Sequence, residues 1–383
     1  MAVIDSDQHL VEYRSLWADH VDLADRADAL AITDDDAGNA WLTWRGTRLG
    51  MADVQTPGET TAIGERRTRA QRGDAPAVRY DDVLPDDHWE PSARVARLTA
   101  MGIDEAMLFP NYGLLWERRL SVDLGALLAN MRAWNRWCAI VAAHDRLHPV
   151  AHVSLRDLEW LASELRTLAA AGVKTAMIAP ALVDGRPLSH PELDRAWALF
   201  VEHDIAPVFH VADQPRVFDD AWYPPDGEAF VPVIESVFLH TAAALACADL
   251  IVHGTFDRHP GLRLGIVELS AVWVPLFLMM LDGGYEFTAR LNGSVPFPLS
   301  LRPSEYFQRQ VRVSSFSYEL PEHLRTQLHG ADLLMACSDF PHSEGTSTPL
   351  ADYAATGRFG TDPDRAPGLF SDNAAFLLGR AAL

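Results

Sequence analysis

The chain has 383 residues, 48% of them apolar, and a formal charge of −21 from 53 acidic against 32 basic side chains. That length suits one barrel of about 250 residues with insertions or two ordinary domains, and the charge argues against nucleic acid or an anionic membrane as partner. Cys138, Cys247 and Cys337 are too far apart for a disulfide framework or a Cys-x-x-Cys pair.

In chain order, the first predicted strand is Ala2–Asp7, within an opening MAVIDSDQHL that lacks the basic and apolar blocks of a secretory leader. Residues 10–87 interrupt the pattern that follows. They contain a predicted hairpin, Ala40–Thr43 and Thr47–Met51 about Arg45-Gly46, and a polar piece from Gln55 to Gly73 expected to be mobile or ordered by a partner chain. This stretch leaves the C-terminal end of the first strand, where it reads as an insertion or lid. From there short apolar runs alternate with helical patterns. The runs are Glu105–Phe109, Pro149–Val153, Lys174–Ala179, Ala206–His210, Arg263–Glu268, Val311–Ser315 and Leu333–Ser338. They are nearly continuous in apolar residues and lack hairpin turns, as strands buried on both faces do.

Helices are predicted between most of these strands. One covers Asn130–Ala143. Another carries Leu158, Leu161, Leu165 and Leu168 at three- and four-residue steps and is closed by Gly172. A third opens at a Ser189-His190-Pro191-Glu192 capping box. The apolar stretch Val272 to Leu281 is too short to span a bilayer. Eight strands with crossover helices predict a single (β/α)₈ barrel of the TIM type over residues 1–383, with 10–87 inserted after the first strand. An open doubly wound sheet is the alternative, but no glycine-rich dinucleotide fingerprint follows any strand.

Three strand tips carry chemistry. The first ends Asp5-Ser6-Asp7-Gln8-His9, and strand alternation puts Asp5, Asp7 and His9 on one side. An Asp-x-His pair by itself is often a surface or capping pair. The fifth strand ends in His210, which alone reads as a core histidine satisfied by a carbonyl. The eighth runs into Ser338-Asp339-Phe340-Pro341-His342, where Asp339 alone reads equally as a helix cap. Strands one, five and eight of a barrel end around one mouth. Asp7, His9, His210 and Asp339 then converge, and two imidazoles with two carboxylates suit one divalent ion, Zn²⁺ or Mn²⁺. Such an ion brings the pKa of its water to about 7.

Together these motifs resemble the amidohydrolase-related group of the amidohydrolase superfamily, typified by aminocarboxymuconate semialdehyde decarboxylase and the resorcylate and carboxyvanillate decarboxylases. The resemblance covers nearly the whole chain. It rests on the Asp-x-His start, Trp89-Glu90-Pro91, Leu108-Phe109-Pro110, Ala133-Trp134-Asn135-Arg136-Trp137, His210, the run Gly254-Thr255-Phe256-Asp257-Arg258-His259-Pro260-Gly261, Glu268, Trp273 and Ser338-Asp339-Phe340-Pro341-His342. It implies a barrel with one metal on the first, fifth and eighth strands, and either hydrolysis or non-oxidative decarboxylation.

Two departures stand out. The family's first motif is often His-x-His or Glu-x-His, and here it is Asp7-Gln8-His9. Its sixth-strand motif usually reads Glu-His-Gly, and here it is Glu268-Leu269-Ser270. Leucine cannot transfer a proton, so His253 or His342 is expected to assist Asp339 in the proton chemistry. Lys174 precedes its strand and reads as a surface residue, and His240 as structural. Trp134, Trp137 and Trp160 read as packing between helix and barrel, and Arg258 as an ion-pair partner of Asp257 or Glu268.

The expectation is a cytoplasmic metal-dependent hydrolase acting on a small cyclic ester, lactone or amide. The alternatives are a metal-dependent decarboxylase of an aromatic or unsaturated acid and a non-catalytic metal-binding protein. A small-molecule substrate, no nucleic acid, no membrane and a homodimer or higher homo-oligomer are expected.

Overall fold

The structure, a computed structural model, describes residues 1–222, 233–357 and 362–380. Eight parallel strands form a nearly closed barrel: β1 (Ile4–Leu10), β5 (Glu105–Pro110), β6 (Leu147–His152), β7 (Thr175–Met177), β8 (Ala206–His210), β9 (Leu264–Val267), β10 (Val311–Ser315) and β11 (Leu334–Ala336), each paired with the next. The remaining seam is joined just beyond β11. Asp339 N donates to Asp7 O at 2.8 Å, and His9 N donates to Phe340 O at 2.7 Å. The last strand is too short to close the barrel, so the residues that carry the predicted site close it instead.

Apolar side chains lie on both faces of these strands. Met107, Phe109, Val150, Met177, Val208, Val267 and Met335 fill the barrel interior, and Phe376 and Leu377 of the C-terminal helix join them. Between strands and outer helices, Leu108, Leu161, Leu165, Trp197, Phe200, Leu250, Phe256 and Phe307 are fully or almost fully buried. Burying each such side chain stabilises the fold by about 1.5–3 kcal/mol. The buried Trp134 also donates from Nε1 to Val150 O at 2.9 Å, which ties helix Leu124–Val141 to β6.

The insertion carries regular secondary structure. β2 (Ala31–Asp34), β3 (Ala40–Trp44) and β4 (Thr47–Met51) form an antiparallel sheet. The predicted hairpin turns at Arg45 and Gly46, both left-handed with φ 49° and 78°, as a two-residue turn requires; β2 was not foreseen. The polar piece expected to be mobile or ordered by a partner chain contains a helix, Thr60–Gln71. Only Ile63 and Ala70 of that helix are buried, so its sequence lacks an apolar stripe. Arg67 Nε donates to Asp53 at 2.9 Å and Arg66 to Val54 O at 3.0 Å, which hold it in place.

Other boundaries shift modestly. Gly172, at φ 85°, follows helix Leu158–Ala170 as predicted. The expected capping box moves by one residue. His190 caps through its ring, accepting from Glu192 N at 3.3 Å, while Ser189 Oγ bonds Asp249 at 2.7 Å. Lys174 lies on the surface and pairs with Asp204 at 2.7 Å. Among the described residues no helix is long and apolar enough to cross a membrane.

Candidate metal centre

Strict alternation along β1 predicts Asp5 beside Asp7 and His9. The pairing with β5 slips between Asp5 and Gln8, and Asp5 turns away to accept from Ser338 N at 3.0 Å, Gln8 Nε2 at 2.8 Å and Asp7 N at 3.2 Å. The carboxylate of Asp7, in contrast, has no hydrogen-bond partner. His9 Nδ1 lies 2.9 Å from Pro110 O. As a donor there, it leaves Nε2 bare toward the barrel axis. The fully buried Arg94 donates to His9 O at 2.7 Å and fixes this end of β1.

His210, at the tip of β8, is oriented the same way, with Nδ1 2.8 Å from Val211 O. Glu268 follows β9 and Asp339 follows β11. Both have left-handed backbones, φ 53° and 55°, as does Ser270 at 62°. Non-glycine residues in that region cost on the order of 1–3 kcal/mol each, a strain that tends to collect at functional sites. Glycine is required at 345, where a Cβ would come within 2.4 Å of Asp339 O.

The side chains meet at the mouth. His9 Nε2 lies 3.1 Å from Asp339 Oδ1 and 3.5 Å from Asp7 Oδ1; His210 Nε2 lies 3.5 Å from Asp7 Oδ1 and 3.2 Å from Glu268 Oε2. Both Asp7 oxygens, both Asp339 oxygens, Glu268 Oε2 and the Nε2 atoms of His9 and His210 are buried without hydrogen-bond partners. So many unpaired polar atoms facing one another are costly. Burial raises the Asp7 carboxyl to about 7, with Asp339 adding to the rise against the opposing pull of His9. Burial also raises Glu268 well above the carboxylate range, helped by the Asp339 and Asp7 charges. Burial lowers the His210 imidazole to about 4, which keeps it neutral. Neutral imidazoles with bare Nε2 atoms, set among carboxylates that repel one another, fit a divalent cation. Ligand atoms of Asp7, His9, His210 and Glu268 lie within 4.8 Å of one another, and so do those of His9, Glu268, Asp339 and His342.

Asp7, His9, His210, Asp339 and His342 are thus brought together. His342 Nδ1 lies 2.7 Å from Asp339 Oδ1, and its ring stacks on His9 at 3.8 Å between centroids. Burial would lower the His342 imidazole, but Asp339 outweighs it and raises the ring to about 9. His253 is not brought to the cluster. It ends helix Thr241–Val252, ahead of β9 and so at the opposite end of the barrel, with Nδ1 2.9 Å from Asp249. Glu268 is the member that residue patterning missed. Its one signal in the sequence was its place at the head of the sixth-strand motif. Arg258 pairs with neither Asp257 nor Glu268 but with Asp194, at 2.9 Å. His240 stacks on Trp273 at 5.7 Å, in a packing role.

A cavity of about 550 Å³ opens over the cluster, lined among others by His210, Glu268, Leu269 and His342. Leu49, Gly50, Met51, Asp53, Gln55 and Arg67 of the insertion form part of its wall. The insertion is pinned there because Ser343 N donates to Gln55 Oε1 at 2.9 Å and Gly58 N to Ser343 O at 2.8 Å.

No protein-family model and no curated protein matches the chain. Solved structures with a similar fold include an amidohydrolase from Mycobacterium avium subsp. paratuberculosis K-10, 23% identical over 99% of each chain with a TM-score of 0.77. The 5-carboxyvanillate decarboxylase from Sphingomonas paucimobilis is 17% identical over 99% of each chain, TM-score 0.61. Its namesake from Novosphingobium aromaticivorans, complexed with manganese and 4-hydroxy-3-methoxy-5-nitrobenzoic acid, is 18% identical over 99% of this chain and 96% of that one, TM-score 0.62.

Proposed function

We propose that the chain is a metal-dependent enzyme of the amidohydrolase type that hydrolyses a small cyclic ester, lactone or amide. The observation that carries the metal-dependent reading is the set of partnerless buried atoms on Asp7, His9, His210 and Glu268. Zn²⁺ or Mn²⁺ suits that donor set, and manganese is the metal in a decarboxylase structure of the same fold. Asp7, His9, His210 and Asp339 would hold the ion, which would supply Lewis acidity toward a carbonyl oxygen and a bound water.

The chain's own residues supply orientation and proton transfer. Pro110 O and Val211 O hold His9 and His210 in the ligand tautomer. His342 positions Asp339 through its Nδ1. Glu268 reaches both the cluster and the cavity. Its Oε2 takes the proton from the attacking water, and the leaving oxygen or nitrogen then receives it. Leu269 packs against the apolar part of the substrate.

Decarboxylation of an aromatic or unsaturated acid is the second reading, favoured by the decarboxylases of the same fold. A purely metal-storing protein would have no use for a cavity of this size beside its cluster. The deciding experiment combines elemental analysis of protein purified without chelator with a screen of lactones, cyclic amides and aromatic acids. Acid release without CO₂ is expected. Stoichiometric CO₂ would replace hydrolysis by decarboxylation, and absence of metal together with no activation by added Zn²⁺ or Mn²⁺ would remove both.

A further inference from the structure

The cavity follows the loop that leaves β8. Every residue from His210 to Phe218 lines it, so its wall runs outward from the cluster along this segment. At the far end Phe218 meets Phe238 edge to face, with ring centroids 5.7 Å apart. Leu115, Val217, Ile234 and Leu239 line the same space. The insertion seats tightly against this wall, since a Cβ at Gly50 of β4 would come within 3.1 Å of Leu115. At about 550 Å³ the cavity is of the size, about 300–1,000 Å³, that encloses a drug-sized ligand. A bare lactone or cyclic amide ring at the cluster would leave the aromatic and aliphatic wall facing water, where burying it is favourable.

The charged side chains of the wall pair with one another. Arg67 bonds Asp53 at 2.9 Å, Arg118 and Arg119 both reach Asp213, at 2.6 and 3.4 Å, and Arg216 meets Glu235 at 3.1 Å. Glu268 and Glu344 line the cavity as well, and the imidazole of His342 is paired with Asp339 at 2.7 Å. Among the described lining residues the arginines are thus matched by carboxylates, with no surplus of positive charge. Taking an anionic arm out of water here would cost its hydration without a compensating cation.

We infer, on the hydrolase reading of the site, that the substrate is an uncharged lactone or cyclic amide carrying an apolar arm, its ring at the cluster and its arm along Val217, Phe218 and Phe238. Hydrolysis consumes one water. The carbonyl carbon gains the water oxygen, its bond to the ring oxygen or nitrogen breaks, and that atom leaves with a proton. The acid formed ionises, finds the arginines of the wall already paired, and departs to solvent.

The test uses the metal-loaded full chain. Acid release gives kcat/KM for γ-valerolactone, γ-decalactone and a γ-decalactone whose hexyl arm ends in a carboxylate. γ-Decalactone should exceed γ-valerolactone on the order of 10²-fold, at about fourfold for each methylene taken out of water. The carboxylate-ended compound should fall to the level of γ-valerolactone or below. Phe238→Asp, at a half-exposed position, should fold normally by circular dichroism and remove most of the advantage of the hexyl arm. Titration calorimetry then follows cyclic ethers with hexyl and methyl substituents, which cannot be hydrolysed. The hexyl ether should bind more tightly, with a negative heat-capacity change, the marker of apolar burial. Preference for the carboxylate-ended lactone, equal binding of the two ethers, or a hexyl preference unaltered in Phe238→Asp would each overturn the inference. Tight binding of the hexyl ether without turnover of any lactone or lactam would remove the hydrolase reading and still support the apolar arm.

Discussion

Asn111 Oδ1 accepts a hydrogen bond from His342 Nε2 at 2.8 Å, joining the loop after β5 to the loop after β11 across the barrel mouth. With its other nitrogen 2.7 Å from Asp339, the imidazole has neither nitrogen left for substrate. Its role is to orient Asp339. Glu12 in turn fixes the Asn111 loop, its buried carboxylate accepting from Tyr112 N and Gly113 N at 2.7 Å. Asn111→Leu should leave the protein folded but weaken metal binding by about 10–100-fold, the usual loss when a partner of a metal ligand is removed. Chelator competition measures it; unchanged affinity would show that His342 needs no anchor.

His210→Ala removes an imidazole on which the cluster centres. About one divalent ion per wild-type chain and none in this variant is the expected result of elemental analysis, with activity abolished. Asp339→Asn keeps one oxygen donor but loses the charge. It should retain part of the metal and lose about 10–100-fold in activity, the scale of a weakened metal ligand. Full activity in Asp339→Asn would defeat the mechanism.

Glu268→Gln separates proton transfer from metal holding. The amide preserves shape and one donor oxygen, so metal content should fall little while kcat falls on the order of 10²-fold. Complete metal loss in this variant would instead make Glu268 an obligatory ligand and move the proton chemistry elsewhere.

Leu269→His restores the imidazole that the resembling family usually carries. In a hydrolase whose substrate packs on Leu269, the polar ring needs a partner and should raise KM. In a decarboxylase with rerouted proton chemistry it should be tolerated or raise kcat. Steady-state kinetics on the substrate found by screening distinguishes the two.

At the opposite end of the barrel, Glu105 ties the C-terminal segment through Arg380, with contacts of 2.6 and 2.8 Å, and lies 2.5 Å from His148. Burial would raise the Glu105 carboxyl, but His148 and Arg380 outweigh it and hold it at about 2. A carboxylate depressed on folding contributes stability above its unfolded pKa of about 4.3. That contribution is lost as pH falls from there through about 2. Arg380→Ala should lower Tm at neutral pH modestly and flatten the acid limb of a Tm–pH profile. A parallel limb in both proteins would show that the pair is not coupled to folding.

Patterning alone located the eight strands, because strands buried on both faces must be short and apolar, and two of them, Ala206–His210 and Val311–Ser315, agree with the structure at both ends. It also drew Asp7, His9, His210 and Asp339 to one mouth, since parallel strands of a barrel deliver their C-terminal residues to the same face. Other features depended on contacts that no local pattern encodes. The slip between Asp5 and Gln8 separates two aspartates that alternation makes equivalent. The left-handed turn at Glu268 swings that carboxylate into the cluster, and no periodicity specifies such a turn. His253 has the right chemistry but sits at the wrong end of its barrel unit. Helix Thr60–Gln71 is held by Asp53 and the Ser343 loop rather than by an apolar stripe. Local sequence thus set what each strand tip offers, because side-chain periodicity is a short-range property. Closure of the barrel decided which of those groups meet, because the meeting joins residues more than 300 positions apart through hydrogen bonds such as Asp339 N to Asp7 O.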